Sequence, residues 1–288
     1  MTAPGPSAPD HALVYGNDHS PWVQAVLLGL HERGVPATLL MLPPRKVFLR
    51  SGVLMPAARL GDGEWQLDSA RSLAGLGFEP PDAETAAELQ RVFGLSALRR
   101  TDEPFGFWRR FSWVRDESAS WLRRCWNQLR RPFSMFYFFA LITLGRSQLG
   151  GWQPERFLDA LSTFERRLEG GGPFFGGDAP GTVDLQLFGL IQMCASMPGA
   201  PLEVVRSAPG LDALRAWIST MQARFEGYTH FYTATVFEPG QPEVVKSTPA
   251  ERVAYWTGTI LVWLAWPLSL AATVWFVWRV RAKGLQRA

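Results

Sequence analysis

The chain has 288 residues, 47% of them hydrophobic and 13% aromatic, which is enough for a sizeable core and for two packed lobes. Its formal charge of +3 is concentrated at one end. Arg279, Arg281, Lys283 and Arg287 lie in the last ten residues with no acid among them, and residues 1–278 carry 25 basic against 26 acidic groups. A body so near neutrality argues against general attraction to nucleic acid, and only two cysteines, Cys125 and Cys194, argue against a disulfide framework or a thiolate zinc cluster.

Residues 1–10 are polar and rich in Pro and Ala, and read as a disordered start without the basic and apolar regions of a cleavable secretory signal. His11–Tyr15 reads as a strand ended by Gly16-Asn17-Asp18. Ser20-Pro21 then opens a helix, since proline suits the first helical position and serine can cap it. Trp22, Ala25, Val26, Gly29 and Leu30 follow at helical spacing, up to a stop at His31–Gly34. Ala37–Leu42 is a second strand, and strand–helix–strand implies a right-handed parallel crossover. Leu54-Met55-Pro56 leads a third strand to Leu60, and Gly61-Asp62-Gly63 turns it into Trp65-Gln66-Leu67. Asp68-Ser69 begins a helix through Leu76, so the pattern is βαβ followed by ββα.

The segments HALVYGNDHSPWVQAVLLGLHERGVPATLLML and VLMPAARLGDGEWQLDSARSL resemble, in that order and spacing, the two halves of the N-terminal lobe of glutathione transferases. The resemblance extends over about residues 11–235. It implies an α/β thioredoxin-like N-terminal lobe (11–79) followed by an all-α C-terminal lobe (82–235), the glutathione transferase fold, with glutathione as co-substrate. Ser20 falls at the family's thiol-activating position, although capping the helix would by itself explain it. Pro56 matches the family's cis-proline, which exposes the backbone of Met55 to the peptide-like ligand; an ordinary strand-edge proline is the alternative. Asp68 and Ser69 match the pair that holds the γ-glutamyl end, with plain helix capping as the alternative. Leu54 departs from the Gln or Lys common before the cis-proline pair. Arg45, Lys46 and Arg50 are candidates for the glycyl carboxylate.

Glu79-Pro80-Pro81-Asp82 reads as the inter-lobe linker. Helical patterns follow over Ala83–Leu98, Ser112–Leu129, Pro132–Leu144, Pro154–Glu169 and Val183–Ala195, with Pro132–Leu144 as the buried central helix of the lobe. Gly181-Thr182-Val183-Asp184 resembles a structural capping motif of the same family, with glycine at the cap. Between Pro104 and Arg131 there are seven Arg interleaved with Phe and Trp, which fits core and solvent faces of two helices, contact with an anionic membrane surface or, less well given the neutral body, stacking on RNA.

Residues 236–252 read as a stiff polar tether. Val253–Trp278 is then a run of 26 residues without a charge. As one helix it would rise about 39 Å at ~1.5 Å per residue and cross a ~30 Å hydrocarbon core. Trp256, Trp275 and Trp278 sit where interfacial aromatics belong, residues 279–288 form a basic tail, and Pro267 predicts a kink. The expectation is one C-terminal transmembrane helix anchoring a cytoplasmic domain. The positive-inside rule opposes a translocated tail, and a re-entrant hairpin bent at Pro267 would leave both ends inside.

Two functions fit. One is a membrane-anchored glutathione transferase acting on apolar electrophiles. The other is a non-catalytic scaffold resembling metaxins and ganglioside-induced differentiation-associated proteins. The expected partners are glutathione, an apolar electrophile, membrane lipid, and a second copy or a membrane protein, with no nucleic acid. Ser20 is the candidate catalytic residue, and Met55, Pro56, Asp68 and Ser69 are the candidate binding residues.

Overall fold

Three four-residue strands form the sheet, in the order β2-β1-β3. They are β1 (Ala12–Tyr15), β2 (Ala37–Leu40) and β3 (Ala57–Leu60). β1 runs parallel to β2 with Tyr15 opposite Leu40, and antiparallel to β3 with Tyr15 opposite Ala57. The computed structural model describes residues 9–98, 116, 120–149, 152–232 and 248–285. Of the expected fourth strand only Gln66 pairs, as an isolated bridge to Ala58.

The crossover helix α1 (Pro21–Glu32) is buried from Val23 to Leu30 because it is covered on both sides, by β1 and by a helix of the second lobe. α2 (Arg45–Ser51) was not legible in the sequence. Only Val47 of it is buried, so it carries no apolar periodicity, and Phe48 and Leu49 are exposed. α3 (Ser69–Gly75) closes the lobe.

The helical lobe comprises α4 (Ala83–Phe93, continued by a π turn over Gly94–Leu98), α5 (Trp121–Leu149), α6 (Pro154–Glu169), α7 (Thr182–Ser196), α8 (Ala200–Ser207) and α9 (Asp212–Arg224). The expected pair of helices around Pro132 is a single helix. A proline costs one intrahelical hydrogen bond, and here its ring is packed: a Cβ on Gly258 would lie 3.2 Å from Pro132 Cγ. The central helix is not that segment but α7, in which every residue except Val183 is buried, whereas Phe133 of α5 is 47% exposed. α6 has the expected bounds, with Phe157, Ala160, Leu161 and Phe164 buried on one face. α8 and α9 lie beyond the last helix anticipated. Glu165 of α6 accepts from the Ala213 and Leu214 amides at 2.8 and 2.6 Å, closing the start of α9.

Most of the basic aromatic stretch, including Phe105, Phe107, Trp108, Phe111 and Trp113, lies outside the described residues, as does most of the tether. The expected single C-terminal span is replaced by two helices, α10 (Pro249–Leu264) and α11 (Trp266–Leu285), bent by 82° at Ala265. No single helix among the described residues is long and apolar enough to cross a membrane; the bent pair taken together passes that test by length and composition. Pro267 accounts for the break, because it lacks an amide hydrogen and its ring needs the space of the carbonyl four residues back. Nor is α10 a free tail. It packs along α5 with Gly258 so near that a Cβ there would lie 2.1 Å from the Leu129 carbonyl oxygen. Arg124 of α5 meets Glu251 of α10 at 2.6 Å.

Candidate functional site

The strand register gathers the sequence-predicted residues at one end of the sheet. There the chain leaves β1 through Gly16–His19 and enters β3 through Met55 and Pro56, whose peptide bond is cis. Those two loops touch: a Cβ on Gly16 would lie 3.4 Å from Met55 Cβ and 2.3 Å from Val23 Cγ2, so only glycine fits. Gln66 and Ala58 exchange backbone hydrogen bonds of 2.8 and 2.9 Å, which carries the following Asp68 and Ser69 back toward the same end.

The individual side chains differ in what they already do. Ser20 is 5% exposed, and its amide donates to Asn17 O at 2.8 Å. Its hydroxyl makes no capping hydrogen bond, so helix capping does not explain it. Asp68 is exposed, accepts from the Arg71 amide at 2.8 Å and caps α3. Ser69 is buried, and its hydroxyl accepts from Gln186 Nε2 of α7 at 3.2 Å, which ties the two lobes together. Met55 is half-buried and Pro56 buried. Arg45, Lys46 and Arg50 are exposed on α2.

Beside Ser20 runs a polar network that the sequence did not reveal. The segment Tyr228–Tyr232, which follows α9, folds back over the β1–α1 loop. Tyr232 Oη donates to Asp18 Oδ1 at 2.5 Å, and His230 Nδ1 lies 3.4 Å from Asp18 Oδ2. The His19 ring packs on Tyr232 with centroids 4.4 Å apart. Gln24 Nε2 donates to the carbonyls of Asp18 and His230 at 2.7 and 3.0 Å, while Tyr228 Oη donates to Gln24 Oε1 at 2.8 Å. From α5, the fully buried Arg131 donates to Met41 O at 2.9 Å, just past β2, and Tyr15 Oη donates to Val53 O at 3.1 Å.

Electrostatics follow from this arrangement. Burial pushes the Asp18 carboxyl up, but the hydrogen bonds from His230 and Tyr232 and the nearby His19 outweigh it and hold the group at about 2. Burial and the Asp18 charge push the Tyr228 and Tyr232 phenols well up, so both stay protonated and donate. The only advance signal was the polar run Asn17-Asp18-His19 before the helix; its partners are more than 200 residues away.

Gly189 of α7 lies where a Cβ would sit 2.3 Å from the Pro21 carbonyl oxygen, so α7 presses directly on the start of α1. Thr182 Oγ1 donates to Glu79 O at 2.6 Å, and Arg224 meets Glu32 at 2.6 Å. The lobes are therefore joined at the linker, at the site and at the far end of α1. Asp184 accepts from the amides of Phe175, Gly176 and Gly181 and from Trp217 Nε1 at 2.8–3.0 Å, a wholly buried structural carboxylate.

Residues 119–219, from the start of α5 into α9, match the family model described as Glutathione S-transferase, C-terminal domain. No curated protein matches the chain. Among solved structures the chain is similar to a glutathione S-transferase from Xanthobacter autotrophicus Py2, at 17% identity over 74% of this chain and 93% of that one, with a TM-score of 0.40. It is similar to glutathione transferase Omega 3C from Trametes versicolor, at 16% identity over 79% and 87%, with a TM-score of 0.44. A third is glutaredoxin 2 from Salmonella typhimurium in complex with glutathione, at 15% identity over 75% and 94%, with a TM-score of 0.44.

Proposed function

We propose that this chain, whose small sheet and helical lobe make a glutathione-transferase-like fold, binds glutathione at the end of the sheet beside Ser20 and conjugates it to apolar electrophiles at a membrane. The observation that carries the reading is convergence. Gly16–Ser20, Met55–Pro56 and Asp68–Ser69 are separated by up to about fifty residues of chain, yet the register of β1, β3 and Gln66 brings them to one edge.

In this reading the Ser20 hydroxyl, not committed to a cap, donates to the glutathione sulfur at the start of α1, where the helix dipole favours an anion. A free thiol titrates near ~8.5, so each such interaction raises the thiolate fraction at neutral pH. Asp18 works against the thiolate by its charge, and the buried Arg131 works for it. The ionised Asp18 spends its oxygens on Tyr232 and His230, which reduces its repulsion. Met55 offers backbone to the tripeptide, and Asp68 and Ser69 receive the γ-glutamyl end. Trp22 and Phe93, half-buried with rings 5.5 Å apart at the boundary of the lobes, suit an apolar second substrate. The C-terminal helices attach the chain to a membrane, with the domain on the cytoplasmic face.

The test is titration of the full chain in detergent with glutathione, followed by turnover with an activated aryl halide. Wild type should bind, and Ser20→Ala should keep binding within a few-fold while losing on the order of 10²-fold in turnover, the scale set by one donor to a developing or stabilised anion. Absence of glutathione binding by the wild type sinks the proposal.

A second reading, a non-catalytic scaffold at the membrane, is favoured by one observation: Ser20 is only 5% exposed. Glutathione binding without turnover in wild type would select it.

A further inference from the structure

α5 and α10 each expose an apolar stripe in addition to the apolar residues they bury. On α10, Val253, Trp256, Ile260 and Leu264 fall at i, i+3, i+7 and i+11, and all are exposed, Leu264 to 77%. The buried residues of α10 are Glu251, Tyr255, Gly258, Thr259 and Val262. α5 does the same: Leu122, Trp126 and Phe133 share one stripe and are exposed, Leu122 to 70%, while Gln128, Arg131, Met135, Phe136 and Ala140 are buried. A helix pair in water places its apolar stripe inward. Helices that are apolar on the outer face as well as the inner one, with a glycine at their close contact, suit surroundings of lipid.

Exposed cations frame this surface. Arg123 and Arg130 stand beside the α5 stripe, with the Arg130 guanidinium 5.9 Å from the Trp126 ring centroid. Trp and Arg together belong at a headgroup boundary, and the cations favour an anionic one.

Depth separates lying in one leaflet from crossing. Each apolar stripe, Leu122–Phe133 and Val253–Leu264, rises about 16 Å at ~1.5 Å per residue, roughly half of a ~30 Å hydrocarbon core. Beyond Ala265 the chain turns through 82°, so α11 adds almost nothing to the depth reached along α10. Its exposed Trp266, Leu268 and Trp275 then lie along the bilayer rather than through it.

We propose that α5, α10 and α11 form one surface embedded in a single leaflet of an anionic membrane, with the domain and the basic tail on the same side. This rests on the membrane attachment proposed above. It removes the conflict with the positive-inside rule, because Arg279, Arg281, Lys283 and Arg287 need not be translocated.

The test uses the full chain with a C-terminal epitope tag, reconstituted on vesicles of neutral or of one-third anionic phospholipid and separated by flotation. Wild type should float with both compositions and bind the anionic one more tightly. Trp126→Glu and Ile260→Glu should each weaken partitioning at least about tenfold, as expected for charge placed in hydrocarbon. Arg123→Glu with Arg130→Glu should weaken the preference for anionic vesicles, leaving the part due to the basic tail. Protease added outside should remove domain and tag together. A tag protected while the domain is digested would mean a crossing helix and overturn this inference but leave membrane attachment standing. Full flotation of Trp126→Glu would likewise overturn it, by removing α5 from the surface. A wild type that never floats and runs as a dimer would overturn both, giving the face to a second copy of the chain.

Discussion

Asp18 shows how much one residue depends on groups far along the chain. Its carboxyl, held at about 2 against an ordinary value near 3.8, binds protons less readily folded than unfolded. Stability from this group is therefore fully present above about pH 4 and is lost as pH falls through about 2, a contribution of roughly 2 kcal/mol at neutral pH. Denaturant melts of Asp18→Asn should show that the wild-type loss between pH 4 and pH 2 is diminished by this amount; an unchanged acid limb would remove Asp18 from the network. Ser20, Asp68 and Ser69 stood out in the sequence from their neighbours. The helix cap made by Asp68 could be anticipated from its neighbours, but the partner of Ser69 could not, since it is Gln186 on a helix of the other lobe.

At the scale of elements, the decisive contacts are made where side chains are missing. Gly189 lets α7 reach the carbonyl of Pro21, and the same helix–helix contact carries the start of α1 that bears Ser20. Gly189→Ala should cost about 1–3 kcal/mol by overpacking and lower the thermal midpoint, because backbone oxygen cannot move aside as a side chain can. The variant should also weaken glutathione binding if the start of α1 forms the site. Gly258 plays the corresponding part between α10 and α5. Gly258→Val should push α10 off the Leu129 carbonyl and make residues after Thr248 sensitive to limited proteolysis while the N-terminal lobe stays resistant; equal resistance of α10 would show that the contact does not hold it. Helices with strong periodicity, such as α6, were readable to the residue. α2 was not, because with one buried residue it has no pattern to read.

For the molecule as a whole, α10 belongs to the helical lobe rather than hanging from it. Removing everything after Tyr232 would strip Glu251 from Arg124 and uncover the inner face of α5 at Leu129 and Pro132. Such a truncated chain should melt at a lower temperature and aggregate, and a truncated chain as stable and monomeric as the full one would show α10 to be an independent tail. In the proposed function α5 is the element common to both surfaces, since its Arg131 reaches Met41 at the end of β2 while its outer stripe is exposed.

The sequence by itself determined the order β1-α1-β2 and β3-α3, the Asp68 cap and glycine punctuation of that lobe, and the apolar, proline-bearing character of the C-terminus. These depend on neighbours a few residues apart, and local chemistry encodes them. Only the tertiary structure decided that Pro132 would be carried within one helix and that Pro267 would mark a bend of 82°. The difference lies in packing: Pro132 is buried against Gly258, whereas Pro267 is exposed. It also decided that Asp18 and Tyr232 meet, for no local rule can pair groups that the chain separates by most of its length.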